Sequence, residues 1–244
     1  MTKGLIDLKP IEFKHLQKRK YRNKDPRVPQ HPHHVLACGP TGSGKTTVLM
    51  NILFDGLTAI DRVVIIAKRL DQEIWQEVIL RFEELAEENE VPVDAILRVF
   101  TGEGSEIPTV DEMKKILGDD PNTEKQTMII FDDYMKDAKA NKVIEEYYSQ
   151  IRHFNASCWY LAQSYYDTPK FIRDNVQYIL LFKGQTVKDL GFLYRDLSDG
   201  KISKERFIGL YNEVTSQPHH FLFVDRLAQT DKTRYRDNFD GIIL

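Results

Sequence analysis

Gly39-Pro40-Thr41-Gly42-Ser43-Gly44-Lys45-Thr46 decides how this chain is read. The stretch fits G-x-x-x-x-G-K-[ST] at every fixed position. It follows an apolar run at 34–38 that ends in Gly39 and reads as a buried strand. It opens a helix expected over 44–54, with Val48, Leu49, Ile52 and Leu53 on one side. Small residues let backbone N–H groups close around phosphate oxygens, and the helix N-terminus adds positive potential. In that setting Lys45 is expected to reach the β- and γ-phosphates of a nucleotide, and the Thr46 hydroxyl to ligate Mg²⁺.

Outward from the loop, strands and helices alternate. β-Branched and apolar residues at 62–66 predict a second buried strand. Ile74, Trp75, Val78, Ile79, Phe82, Leu85 and Ala86 recur at helical spacing, with an acidic outer face at Glu83, Glu84, Glu87 and Glu88. Further strands are expected at 96–100, 127–131, 157–162, 177–182 and 221–224, the last near a partner at 233–236. Further helices are expected at 109–117, around Val143–Ile151, and near 187–194 and 204–212. Near-continuous apolar strands alternating with helices predict an α/β fold, a mostly parallel sheet covered on both faces.

Two acids close the strand at 127–131. Asp132 and Asp133 thus fall at the carboxyl end of a buried strand, where open parallel sheets bind their ligands. Asp132 is expected to hold Mg²⁺ through water, and Asp133 to orient the attacking water. Gln163 ends the strand at 157–162, where an amide can sense the γ-phosphate or position water. Arg152 lies eleven residues before Gln163, at the end of a helix. It can serve a neighbouring subunit's nucleotide as a finger, or be a surface charge favoured by the helix dipole. His31, His33, His34, His219 and His220 lack metal-ligand spacing with Cys or acids. Cys38 and Cys158 read as buried strand residues.

The 244-residue chain is 41% hydrophobic and 29% charged, which excludes a mostly disordered protein. Its longest apolar runs, such as 63–67, are far short of the roughly 20 residues of a membrane helix. The net charge of −3 does not mark a nucleic-acid binder. The charge is uneven, however: residues 1–30 hold nine Lys/Arg and three acids, a net of +6, leaving −9 for the rest. Prolines at 26, 29 and 32 mark a boundary. The expected organisation is a basic arm at 1–30 and a nucleotide-binding domain at 31–244. A basic arm suits a polyanion or an acidic surface.

Together, Gly39–Thr47, Met128–Tyr134, Arg152-His153-Phe154-Asn155 and Leu161-Ala162-Gln163-Ser164 resemble a known family. It is that of the genome-packaging ATPases of double-jelly-roll viruses: virophages, polinton-like elements and large DNA viruses of the poxvirus type, within the FtsK/HerA superfamily. Ile172-Arg173-Asp174-Asn175, Pro218-His219-His220-Phe221 and Arg234-Tyr235-Arg236-Asp237-Asn238 carry the likeness toward the C-terminus.

The resemblance implies a P-loop NTPase of the RecA/ASCE type. Its phosphate-loop strand is central, and the strand ending in Asp132 is not adjacent to it. It implies Mg²⁺-dependent ATP hydrolysis in a homo-oligomeric ring that drives double-stranded DNA into a preformed capsid, in the virion or the cytoplasmic virus factory. It makes Gly39, Pro40, Thr41, Gly42, Ser43, Gly44, Lys45, Thr46 and Thr47 the nucleotide loop, and Thr46 and Asp132 the metal ligands. Gln163 becomes the sensor and Arg152 the leading finger, with Arg173 behind it. Cellular relatives usually carry Glu where this chain has Asp133, whose reach is one methylene shorter. Two rival functions use the same loop: a nucleoside or nucleotide kinase, and a nucleotide-gated, capsid-associated structural protein. The scattered arginines of the second half form no clear kinase lid.

Overall fold

The computed structural model describes residues 25, 27–54, 58–102, 106–120, 123–198 and 202–242. The basic arm at 1–30 lies for the most part outside them. Its last residues pack on the body: Val28 is buried, Arg27 pairs with Asp240 at 2.9 Å, and Arg236 donates to the Arg27 carbonyl at 3.0 Å.

Among the described residues the first elements are β1 (His34–Cys38), the Gly-rich loop and α1 (Lys45–Phe54). β2 (Arg62–Ala67), α2 (Glu73–Glu88), α3 (Val93–Ile96) and β3 (Leu97–Thr101) follow. Next come α4 (Val110–Leu117), β4 (Thr127–Asp132), α5 (Ala138–Gln150), a 3₁₀ turn at Ile151–Phe154 and β5 (Ala156–Ala162). The second half contains α6 (Lys170–Asn175), β6 (Tyr178–Phe182), α7 (Val187–Leu197), α8 (Lys204–Val214) and β7 (Phe221–Asp225). α9 (Asp231–Arg234), β8 (Tyr235–Asp237) and β9 (Gly241–Ile242) end it.

Among the described residues the strands form one sheet in the order β3-β2-β4-β5-β1-β6-β7-β8-β9. The six strands from β3 to β6 are parallel, and β7, β8 and β9 add antiparallel partners at one edge. β1 is central, and β5 separates it from β4, as the resemblance implied.

Alternation along the strands divides the core in two. Val35 and Ala37 of β1, with Ile65, Ile130 and Leu180, face α1 and α2 through Leu49, Ile52, Trp75 and Val78. Leu36 and Cys38, with Ile66, Phe131, Tyr160 and Leu181, face α4, α5, α7 and α8 through Met113, Ile144, Leu193 and Phe207. Helices therefore cover both faces, making a three-layer α/β sandwich. Each Val, Leu, Ile, Met or Phe side chain among them contributes about 1.5–3 kcal/mol on burial.

Helix starts follow local chemistry. Thr109 and Thr186 each close a capping box, with Glu112 and Asp189 respectively. The strand expected at 233–236 begins two residues later, because Thr230 O accepts from Arg234 N and closes a helical turn first. α3 and α6 carry too little periodicity to be read from sequence.

The histidines just before and at the start of β1 are structural. His31 Nε2 bonds Asn155 O at 2.8 Å and its Nδ1 meets Ser157 Oγ at 2.6 Å. Trp159 Nε1 donates to His33 Nε2 at 2.9 Å. His34 packs on the Tyr148 ring at 4.6 Å, fully buried. Burial holds His33 well below its ordinary pKa and His34 at about 3, with Arg152 pushing His34 the same way.

The unfolded chain protonates these imidazoles below about pH 6.5 while the folded chain does not, so acid favours unfolding. Stability should fall by about 1.4 kcal/mol per pH unit per histidine below that point. In melting curves from pH 7 to 5, His34→Phe should lose about one proton's worth of that slope. An unaltered slope would mean that His34 is not a source of the acid sensitivity.

Candidate active site

All six parallel strands end at one edge of the sheet, and register fixes what stands there. Cys38 of β1 lies opposite Ala162 of β5, and Leu161 lies opposite Asp132 of β4. Gly39, Gln163 and Asp133, each one step beyond, are thereby brought to the same rim from 30 to 124 residues apart in sequence.

The loop closes tightly on the sheet. Gly39 N donates to Ala162 O at 3.0 Å, and a Cβ at Gly39 would lie 2.6 Å from Phe182 Cβ. Only glycine fits there. Gly44, with φ +104°, turns the chain into α1 in a conformation L side chains rarely adopt. Lys45 starts α1, and its Nζ donates to Gly39 O at 2.6 Å and Pro40 O at 3.0 Å. Burial lowers the Lys45 pKa, opposed by the Asp132 charge.

Asp132 is the last residue of β4 and half-buried. Burial raises its pKa, and a hydrogen bond from Trp75 works against that rise. The Trp75 Nε1 donates to Asp132 Oδ2 at 2.9 Å. Asp133 follows with φ +66°, a left-handed turn that Asp tolerates better than most residues, and it is exposed. Gln163 Nε2 lies 3.4 Å from Asp133 Oδ1, and Gln163 N donates to Met135 Sδ at 3.2 Å. The amide and the second acid are thus neighbours at the cleft.

These groups line a cleft of about 440 Å³. Thr41, Gly42, Gly44, Lys45, Thr46 and Thr47 form one wall, and Asp132, Asp133 and Gln163 another. The volume is within the range of small-molecule sites. The Thr46 hydroxyl and the Asp132 carboxylate are hard oxygen donors on one cavity. They fit Mg²⁺, which takes one or two protein ligands and completes its shell with water and phosphate.

The sequence assigned no part in this site to Trp75, Arg69 or His219, of which the last two line the cleft. Trp75 was visible only as an apolar helix position, yet it holds Asp132. Arg69, after β2, lines the cleft and forms a fork with Asp71 at 3.2 and 2.8 Å. His219 reaches the cleft from the loop before β7. No local pattern assigns these positions to the site, because each acquires its neighbour there through sheet order.

Arg152 lies elsewhere. It is exposed in the 3₁₀ turn before β5, at the opposite end of that strand from Gln163. Seven residues of β5 at about 3.3 Å each put it roughly 20 Å from its own cleft. Its side chain makes no hydrogen bond or ion pair among the described residues. Arg173 instead pairs with Asp196 at 2.9 Å and lies over the Tyr165 ring. That ion pair engages it within the body.

A Gly-rich loop between a central parallel strand and a helix, facing an acid on a strand one place removed, defines a P-loop NTPase. More particularly, residues 20–217 match the Poxvirus A32 protein family, and the chain belongs to it. Among solved structures it is similar to B204, the DNA-packaging ATPase from Sulfolobus turreted icosahedral virus. The TM-score is 0.59 at 15% identity, over 87% of this chain and 99% of that one. The genome packaging NTPase B204 from Sulfolobus turreted icosahedral virus 2, solved with ATP-gammaS, gives 0.55 at 16% identity over 86% and 98%. Its complex with AMPPCP gives 0.54 at 16% over the same shares. At such identities the likeness is one of fold. No curated protein sequence matches the chain.

Proposed function

We propose that this chain is the ATP-hydrolysing motor that moves double-stranded viral DNA into a preformed capsid. The observation that carries the reading is the convergence of Lys45, Thr46, Asp132, Asp133 and Gln163 on one cleft, in a chain of the A32 family. The solved B204 proteins of similar fold are described as genome-packaging enzymes, one of them in two complexes with ATP analogues, which supports ATP as the substrate.

In this reading the loop amides and Lys45 bind the phosphates, and Thr46 and Asp132 hold Mg²⁺. The metal, when bound, neutralises charge on the β- and γ-phosphates. Gln163 and Asp133 orient the attacking water together, which offsets the shorter reach of Asp133. Arg152 serves the next subunit in a homo-oligomeric ring, since it is too far from its own cleft. The basic segment 1–30 acts as an arm on the ATPase domain 31–244 and meets DNA phosphates or an acidic capsid surface. The protein then works in the virion or the virus factory. Among the described residues no helix is long and apolar enough to cross a membrane.

The test is ATP turnover by the purified chain with and without long duplex DNA, alongside its mass in solution. Turnover that rises with duplex length in an oligomer is the expected result. Indifference to DNA with stimulation by a nucleoside would replace the motor by a kinase.

The two acids should separate. Asp132→Asn should weaken Mg²⁺-dependent ATP binding. Asp133→Asn should leave binding near wild type and slow turnover strongly. Equal loss of affinity in both variants would refute this division.

A further inference from the structure

The cleft has an end that hydrolysis does not use. Asp132, Asp133 and Gln163 stand on the β4–β5 side of the phosphate loop. On its other side β6 is followed by β7, which runs antiparallel, with Phe221 opposite Phe182. That reversal returns the loop before β7 to the sheet edge where the phosphate loop lies.

His219 occupies this position. It lines the cleft, and a Cβ at Gly44 would lie 3.3 Å from its Nδ1. Its φ is +63°, a backbone region that few non-glycine residues enter. The side chain is exposed, and its ring makes no hydrogen bond or ion pair among the described residues. Its neighbour His220 is engaged differently, with Nδ1 at 2.7 Å from Asp237 Oδ1. One histidine of the pair is therefore tied to β8, and the other is presented at the cleft.

A nucleotide in the phosphate loop has a direction. Its γ-phosphate belongs beside the two acids and Gln163, so its nucleoside leaves the loop at the opposite end, on the β6–β7 side. We infer that His219 contacts the nucleoside part of the bound nucleotide and is a residue by which this cleft tells a nucleoside triphosphate from a bare polyphosphate. The inference rests on the phosphate-loop reading proposed above and adds to it the group that meets the base or ribose. An exposed imidazole offers a flat face for stacking and a ring N–H for a hydrogen bond, and both suit that partner.

The probes are Mg²⁺-ATP and Mg²⁺-tripolyphosphate, which carries the phosphates without the nucleoside. Their dissociation constants are measured by calorimetry on the full chain, as wild type, His219→Asn, His219→Gly and Lys45→Ala. Asn and Gly both accept positive φ, so agreement between them isolates loss of the ring from a change of backbone. Melting temperatures check folding. Both His219 variants should bind ATP about tenfold more weakly and tripolyphosphate within about twofold of wild type.

Unchanged ATP affinity, or equal weakening of both ligands, would overturn the inference. Lys45→Ala keeps the two readings apart. If it weakens both ligands while the His219 variants match wild type, only the role of His219 fails. If it weakens neither, the phosphate-loop reading fails and His219 with it.

Discussion

Lys45→Ala should abolish ATP turnover, by at least about a hundredfold, in a chain that melts as the wild type does. The side chain emerges from the first residue of α1 and reaches back to Gly39 O and Pro40 O, the carbonyls that edge the loop. Phosphate oxygens are the stronger acceptors for an ammonium, so those bonds should give way to the nucleotide proposed to bind here. None of the apolar contacts of α1 depends on Lys45, since Leu49, Met50 and Ile52 supply its buried face. Removing a partly buried cation also relieves a desolvation cost, visible in its lowered pKa, so stability should hold or rise slightly. ATPase rate and thermal melting measured on the same preparation check both halves. Full turnover in a folded Lys45→Ala chain would remove the phosphate-loop assignment.

Arg152→Ala should bind ATP almost normally and still assemble, yet turn over about a thousandfold more slowly. A finger places its guanidinium on the transferring phosphate, neutralising charge that develops in the transition state. Arg152 is suited to act only across an interface, because its own cleft is at the far end of β5. Mixing gives the decisive measurement. Arg152→Ala subunits keep the phosphate loop, and Lys45→Ala subunits keep the arginine. Where the two meet in one orientation both halves of a site are intact, so activity should reappear above that of either variant alone. A cis-acting or structural arginine gives no such rescue. Failure in demonstrably mixed rings would assign the finger elsewhere, and Arg173 would first have to leave Asp196.

Much of the fold was legible because two local signals coincide in this chain. Buried parallel strands are continuous apolar runs, as in Val63–Ile66 or Ile179–Phe182, and helices such as α2 show a period set by one buried face. The phosphate loop was legible for a different reason. The phosphate binding proposed for it needs contiguous backbone N–H groups, so its residues are contiguous in sequence. Asp132 and Gln163 could be placed because each ends an apolar strand, and the polar residue after a buried strand in a parallel sheet stands at the ligand edge. Of the late strand pair, the strand at 221–224 was found in place and its partner was shifted by two residues, since a hydrogen-bonded turn at Thr230 competes with strand pairing there.

By itself the sequence determined the α/β class, the Gly-rich loop between a strand and a helix with Lys45 and Thr46 at its helix end, and the acids that close an apolar strand. Each depends on neighbours a few residues away, and such patterns survive without coordinates. The tertiary structure alone decided that Trp75 donates to Asp132, that Arg69 and His219 line the cleft, and that Arg152 stands at the opposite end of β5 from Gln163. It also decided that Arg173 is bound to Asp196. Those facts depend on strand order and strand direction: β5 inserted between β4 and β1, and β7 reversed beside β6. Order and direction are set by which apolar faces pack together over long separations, a choice that no short window of sequence contains.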